Sequence, residues 1–180
     1  QALFYQALIS HLAGLPEPNM DELARAARRV LEMELNPGLV ERVAEAPMIF
    51  FAGRNDGVAE ELTLKTNEIT RKKSDFLEGT YAVHGIEEVM NPDEVVVVID
   101  PFPSEVEKIQ KTLIEGVGMK VIAITSQETS LTTIRIPSQP GFDPILQLLA
   151  GWNLLVHVGV AAGIDLDHPV RARKIGNEYE

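Results

Sequence analysis

Apolar residues along this chain follow two rhythms, and each rhythm predicts its own kind of element. Residues 2–13, "ALFYQALISHLA", carry the three-to-four spacing of a helix, with Gly14 and Pro16 as stop signals. Asn19 caps a second predicted helix over 20–35, whose buried face would hold Leu23, Ala27, Val30 and Leu31. Short unbroken apolar runs predict buried strands at 47–53 ("PMIFFAG"), 94–100 ("EVVVVID") and 120–126 ("KVIAITS"). A fourth strand, "TTIRIP" at 132–137, alternates and is therefore expected nearer an edge. Asp56 is the predicted cap of a helix to about Leu77. Ser104 is the predicted cap of another to about Glu115, with Gly116 and Gly118 behind it. A long apolar helix spans Asp143 to about Ala162 and stops at Gly163.

Strands alternating with helices imply an α/β fold, a three-layer sandwich whose mostly parallel sheet carries helices on both faces. Ligands of such sheets bind beyond the carboxyl ends of the strands. The turn "GRND" joins the first strand to the helix that follows it. That order puts Gly53, Arg54 and the foot of the helix at the expected site, with Gly53 and Arg54 as candidate substrate contacts.

Composition narrows the classes of function. A chain of 180 residues supports one domain with a sizeable core. Its net charge of −11 argues against a nucleic-acid surface, and the basic cluster Arg71, Lys72, Lys73 reads as a solvated helix face. No unbroken apolar run reaches the roughly 18 residues that would suggest a membrane span. The absence of cysteine removes disulfides, thiol catalysis and thiolate metal sites, and fits a cytoplasmic protein. His11, His84, His157 and His168 fall in no metal-binding spacing, so no metal and no cofactor are assigned. The chain opens in an apolar helix with neither a cap nor an initiator Met, which reads as the continuation of upstream sequence.

Candidate chemistry gathers on the helix after the first strand. Glu61, Lys65, Glu68 and Lys72 are spaced by four, three and four positions and share one helical face. One reading is a solvated Glu–Lys ladder, worth a few tenths of a kcal/mol per pair. The other is an acid–base site, with the lysine holding a substrate oxygen while a carboxylate moves a proton. His84, in "VHG" between Gly79 and Gly85, suits proton transfer near neutrality, although a hydrogen-bonded loop histidine is the commoner case. Spacing alone does not decide between them.

The ordered set of motifs adds more. "E-x-x-x-K-x-x-E-I" (Glu61, Lys65, Glu68, Ile69) is followed sixteen residues after Glu68 by "HG". Then come "LQLLA" at 146–150, "GIDLDHP" at 163–169 and the tail "D-x-P-x-x-x-x-K" (Asp167, Pro169, Lys174). Over nearly its whole length the chain resembles the second sugar-isomerase (SIS) domain of the glucosamine-6-phosphate synthase family, whose relatives include amino-sugar-phosphate deaminases. The resemblance implies a flavodoxin-like SIS fold with residues 19–165 as the domain. Residues 1–18 would then lead from a preceding SIS domain, and 166–180 would form a tail closing the site.

The same resemblance implies a phosphosugar isomerase or deaminase acting on a hexose 6-phosphate through an enediol. Glu68 would be the base between C1 and C2. His84 would assist ring opening in a neighbouring subunit's site, Lys65 and Glu61 would polarise the reacting centre, and Lys174 would lie over the sugar. The family's Ser/Thr-rich phosphate loop is missing, since "DPFPSE" follows the second strand. A preceding SIS domain or a second subunit would supply that loop, and a homodimer is expected. Lys65 points to the synthase or deaminase branch. The alternatives are a fructosamine-6-phosphate deglycase and a non-catalytic module that binds a phosphosugar or serves dimerisation.

Overall fold

A computed structural model describes residues 2–15 and 19–171. Five strands form one wholly parallel sheet: β1 (Met48–Gly53), β2 (Lys73–Glu78), β3 (Val95–Ile99), β4 (Lys120–Thr125) and β5 (Thr132–Arg135). Their spatial order is β2-β1-β3-β4-β5. The continuous apolar runs behave as buried strands should, with alternate residues feeding opposite faces. Ile49, Phe51, Val95, Val97, Ile99, Ile122 and Ile124 enter one core. Phe50, Ala52, Val96, Val98, Val121 and Ala123 enter the other.

Helices cover both faces, which makes three layers. The first core is closed by α2 (Met20–Leu31), α3 (Pro37–Glu45), α4 (Val58–Thr70) and α6 (Asp143–Ala161). The second is closed by α5 (Val106–Ile109), which continues as a π-helical segment (Gln110–Val117), and by short turns around Ala82, Val83 and Met90. The N-terminal α1 (Ala2–Leu12) leaves Phe4, Tyr5, Ile9 and Leu12 each more than half exposed.

Several expectations need correction. The helix expected to reach Leu77 stops at Thr70, because Arg71 takes the left-handed conformation (φ 55°) and turns the chain into β2, an edge strand that buries Leu77. Asp56 does not sit at the cap of α4. Gly57 does, with φ 87°, while the Asp56 carboxylate accepts from the Val58 N–H at 3.2 Å. Ser104 makes no capping bond, and a 3₁₀ turn (Pro103–Glu105) leads into α5 instead. On α2 the buried positions are Leu23, Ala26 and Val30, while Leu31 points outward and the helix ends there. A helix not foreseen, α3, starts at Pro37 with the Asn36 side chain accepting from the Gly38 and Leu39 amides.

Among the described residues one helix, α6, has the length and composition to cross a membrane, with mean hydropathy 1.5 over its best window. Its apolar residues are used internally. Leu146, Ala150, Leu154, Leu155 and Val158 are buried in the first core. Gly151 lets α4 come close, since a Cβ there would meet the Leu62 side chain at 2.4 Å.

The strand order reverses direction between β1 and β3. There Gly53 has φ 138°, and a Cβ on it would meet the Ile99 carbonyl oxygen at 2.1 Å. Both the backbone angle and the space demand glycine. Gly53→Ala is expected to lower unfolding free energy by about 2 kcal/mol or more, read as a lower urea midpoint at unchanged slope. An unchanged midpoint would mean that β1 and β3 separate without cost.

Candidate active site

Two groups of polar side chains stand at opposite ends of α4. At the carboxyl edge, Gly53 ends β1 and hands the chain to Arg54. The Arg54 Nε donates to the Asp100 carbonyl at 3.0 Å and to its carboxylate at 3.1 Å, and the guanidinium lies over the Phe102 ring, 4.0 Å from its centre. The other oxygen of Asp100 accepts from the Thr125 hydroxyl at 2.9 Å. Asp100 itself is held at φ 44°, an uncommon conformation for a non-glycine residue. This cluster ties β1, β3 and β4 together at the point where the strand order reverses. Sequence reading named Gly53 and Arg54 but missed Asp100, Phe102 and Thr125, whose only signal was their place at strand ends.

The charged stripe runs the other way. Glu61 lies in the first turn of α4, near the carboxyl edge, whereas Glu68 is about 15 Å from the start of the helix at 1.5 Å per residue. The helix foot is therefore at the expected edge, and Glu68 is not. Lys65 joins the stripe. Its Nζ donates to Glu68 Oε2 at 2.6 Å and stands 3.9 Å from Glu61 Oε1. The hydrogen bond to Glu68 raises the Lys65 pKa above its usual 10.5, against a partial lowering by burial, with smaller raising contributions from the charges of Glu68 and Glu61. Lys72, placed on the same face by its spacing, lies just beyond the helix and donates to the Ala46 carbonyl at 2.8 Å. Burial lowers its pKa.

Glu68 borders a cavity of about 610 Å³, lined also by Asn67, Arg71, Pro169, Val170 and Arg171. One wall is the end of α4 and the other is the segment after α6. Arg71 fastens the two walls, its Nη2 donating to the carbonyls of Asp165 and His168 at 3.0 Å each. The Asp165 carboxylate folds the segment by accepting from the Asp167 and His168 amides and from His168 Nδ1 at 2.9 Å. These bonds, the histidine first, hold its pKa below the usual carboxylate range. Lys174 lies outside the described residues.

His84 is not brought to this group. It follows the turn at Tyr81–Val83, whose Ala82 and Val83 belong to the second core, so it stands across the sheet from α4. Its Nδ1 lies 3.4 Å from Lys108 Nζ. Among the described residues no group of three or more His, Asp or Glu is placed to hold a metal ion.

No family model matches the chain. A curated relative, the glutamine–fructose-6-phosphate aminotransferase (isomerizing) of Leifsonia xyli subsp. xyli, is 25% identical; the match covers 73% of this chain and 24% of the relative's length. The glucosamine-6-phosphate deaminase of Thermotoga maritima superposes with a TM-score of 0.68 at 16% identity, over 92% of this chain and 51% of its own. The C-terminal domain of the glucosamine-fructose-6-phosphate aminotransferase of Francisella tularensis superposes at 0.60 with 16% identity, over 81% of this chain and 42% of its own. The chain has the fold of these SIS-domain proteins, and its sequence is similar to the synthase. The chain spans about a quarter of the curated relative it matches and about half of the deaminase chain.

The Lys65 pair has a pH signature. Because the folded state raises the pKa, its contribution to the domain's stability is complete below 10.5 and is lost as pH rises through the folded value. Lys65→Met is expected to cost on the order of 0.5 kcal/mol at neutral pH, as for other half-exposed pairs, and nothing at strongly alkaline pH. Urea unfolding of both proteins at the two pH values checks it. A difference that persists in alkali would assign the loss to packing.

Proposed function

We propose that this SIS domain is one half of a phosphosugar isomerase or deaminase acting on a hexose 6-phosphate of the fructose-6-phosphate or glucosamine-6-phosphate type. The observation that carries the reading is the Lys65–Glu68 pair, whose Glu68 lines the cavity between the end of α4 and the segment after α6. In the proposed reaction the Glu68 carboxylate takes a proton from one of the two reacting carbons of the open-chain sugar. The enediolate oxygen is stabilised by the Lys65 ammonium, which Glu61 and Glu68 keep charged. Glu68 then returns the proton to the neighbouring carbon. No cofactor enters this scheme.

His84 stands across the sheet from Glu68. In this reading it serves the site of a second subunit, and Lys174 comes over the sugar from the tail, residues 166–180. The exposed apolar residues of α1 support a chain that works against a preceding SIS domain or a second copy, as a homodimer in the cytoplasm. That partner contributes the Ser/Thr-rich loop, which is replaced here by "DPFPSE" after β3.

A second reading, a non-catalytic phosphosugar-binding module, draws on the same replacement. Arg54 weighs against it, since its guanidinium is already engaged by Asp100 and Phe102.

Glu68→Gln separates the two. Turnover of fructose 6-phosphate with ammonia, glucose 6-phosphate and glucosamine 6-phosphate is measured for wild type and variant. A fall of about a thousandfold with ligand binding retained is expected for loss of a general base. Binding without turnover in the wild-type protein would establish the module instead.

A further inference from the structure

We infer that the cavity beside Glu68 is an anion subsite, in which Arg71 and Arg171 hold the phosphate of the sugar phosphate. The inference rests on the substrate class proposed above and gives this chain its own share of the phosphate contacts.

The carboxyl edge of the sheet, where open parallel folds usually take anions, is built against them here. The first turn of α4 carries Glu60 and Glu61, and Glu105 leads into α5, whose Glu107 is followed by Lys108 and paired with Lys111 at 2.6 Å. The Asp100 carboxylate stands at the end of β3, and Arg54, the cation beside it, is already paired with it. A phosphate brought to that edge would meet net negative charge on a chain of −11 overall.

The far end of α4 brings two arginines together beside the Glu68 carboxylate. Two guanidinium groups, Arg71 and Arg171, line one cavity with the Asn67 amide and the apolar Pro169 and Val170. Its volume of about 610 Å³ suits a phosphorylated hexose with its first water shell, within the roughly 300–1,000 Å³ of small-ligand sites. Guanidinium is the side chain best matched to phosphate, through paired N–H donors at fixed geometry. Arg71 is ordered before any ligand arrives, since its bonds to the Asp165 and His168 carbonyls fix the guanidinium to the facing wall. Glu68 lies one helical turn from Arg71 on the same lining. A sugar phosphate can therefore present its reacting end to Glu68 and its phosphate to the arginines. Binding would also draw the segment after α6 onto α4, because Arg171 belongs to that segment.

The test uses glucose 6-phosphate, glucose and inorganic phosphate as probes, with binding followed by NMR or calorimetry. Arg171→Met is the main variant, because Arg71 also anchors the tail. Arg171→Lys is the conservative control, and thermal unfolding checks that both fold. The expected result is binding of glucose 6-phosphate that weakens tenfold or more in Arg171→Met and partly recovers in Arg171→Lys. Inorganic phosphate should compete, and glucose should bind far more weakly than its phosphate in the wild type alone. Equal binding of glucose 6-phosphate by wild type and Arg171→Met, or no saturable binding at millimolar concentration, overturns the subsite. Glu68→Gln keeps the two proposals apart, since it removes turnover under the isomerase reading and leaves phosphate-dependent binding intact under this one.

Discussion

The close approach of α4 and α6 is the constraint on which the candidate site depends. Gly151 leaves room for Leu62, which is fully buried in the first core, and Gly159 brings α6 against the Ile69 carbonyl near the end of α4. With the two helices so close, the chain leaving α6 has to pass the end of α4. There Arg71 takes it up through two carbonyls. The cavity beside Glu68 is the space left between these elements. A larger side chain at position 151 would push α4 outward and separate the Lys65–Glu68 pair from the wall that faces it.

The two polar groups along α4 divide the work expected of one. Arg54, Asp100 and Thr125 act as a clasp across three strand ends, with most of their hydrogen-bonding capacity directed inward. Glu61, Lys65 and Glu68 are about one-third to one-half exposed and retain acceptor and donor capacity for a ligand. Open parallel sheets favour ligands at the carboxyl edge, but that rule reflects helix N-termini and free backbone amides. Acidic first turns oppose that advantage here, whereas two arginines line the cavity at the far end of α4.

Much of the fold could be read from the sequence because burial on two faces leaves a continuous apolar run. The valines of β3 and the "MIFFAG" of β1 are such runs, and both proved to be central strands. The end of α4 could not be read in this way. Its left-handed cap is Arg71, where a glycine or asparagine would have marked the stop, so the sequence of β2 reads as more helix. In α3 the start signal Asn36–Pro37 was present but introduces only nine residues. The charged stripe was visible from spacing, since it lies on one element. The Arg54–Asp100 pair and the cavity wall of Pro169, Val170 and Arg171 join segments far apart in sequence, and a single sequence carries no local trace of such contacts.

The central claim is that Glu68 moves a proton on a sugar phosphate, and hydrogen exchange with solvent tests it most directly. The protein is incubated with fructose 6-phosphate or glucose 6-phosphate in deuterated water, and the sugar is examined by proton NMR. The account predicts deuterium at the carbon adjoining the carbonyl, with the label absent in Glu68→Gln. Saturable binding of either sugar phosphate with no deuterium incorporated by the wild-type protein would contradict it.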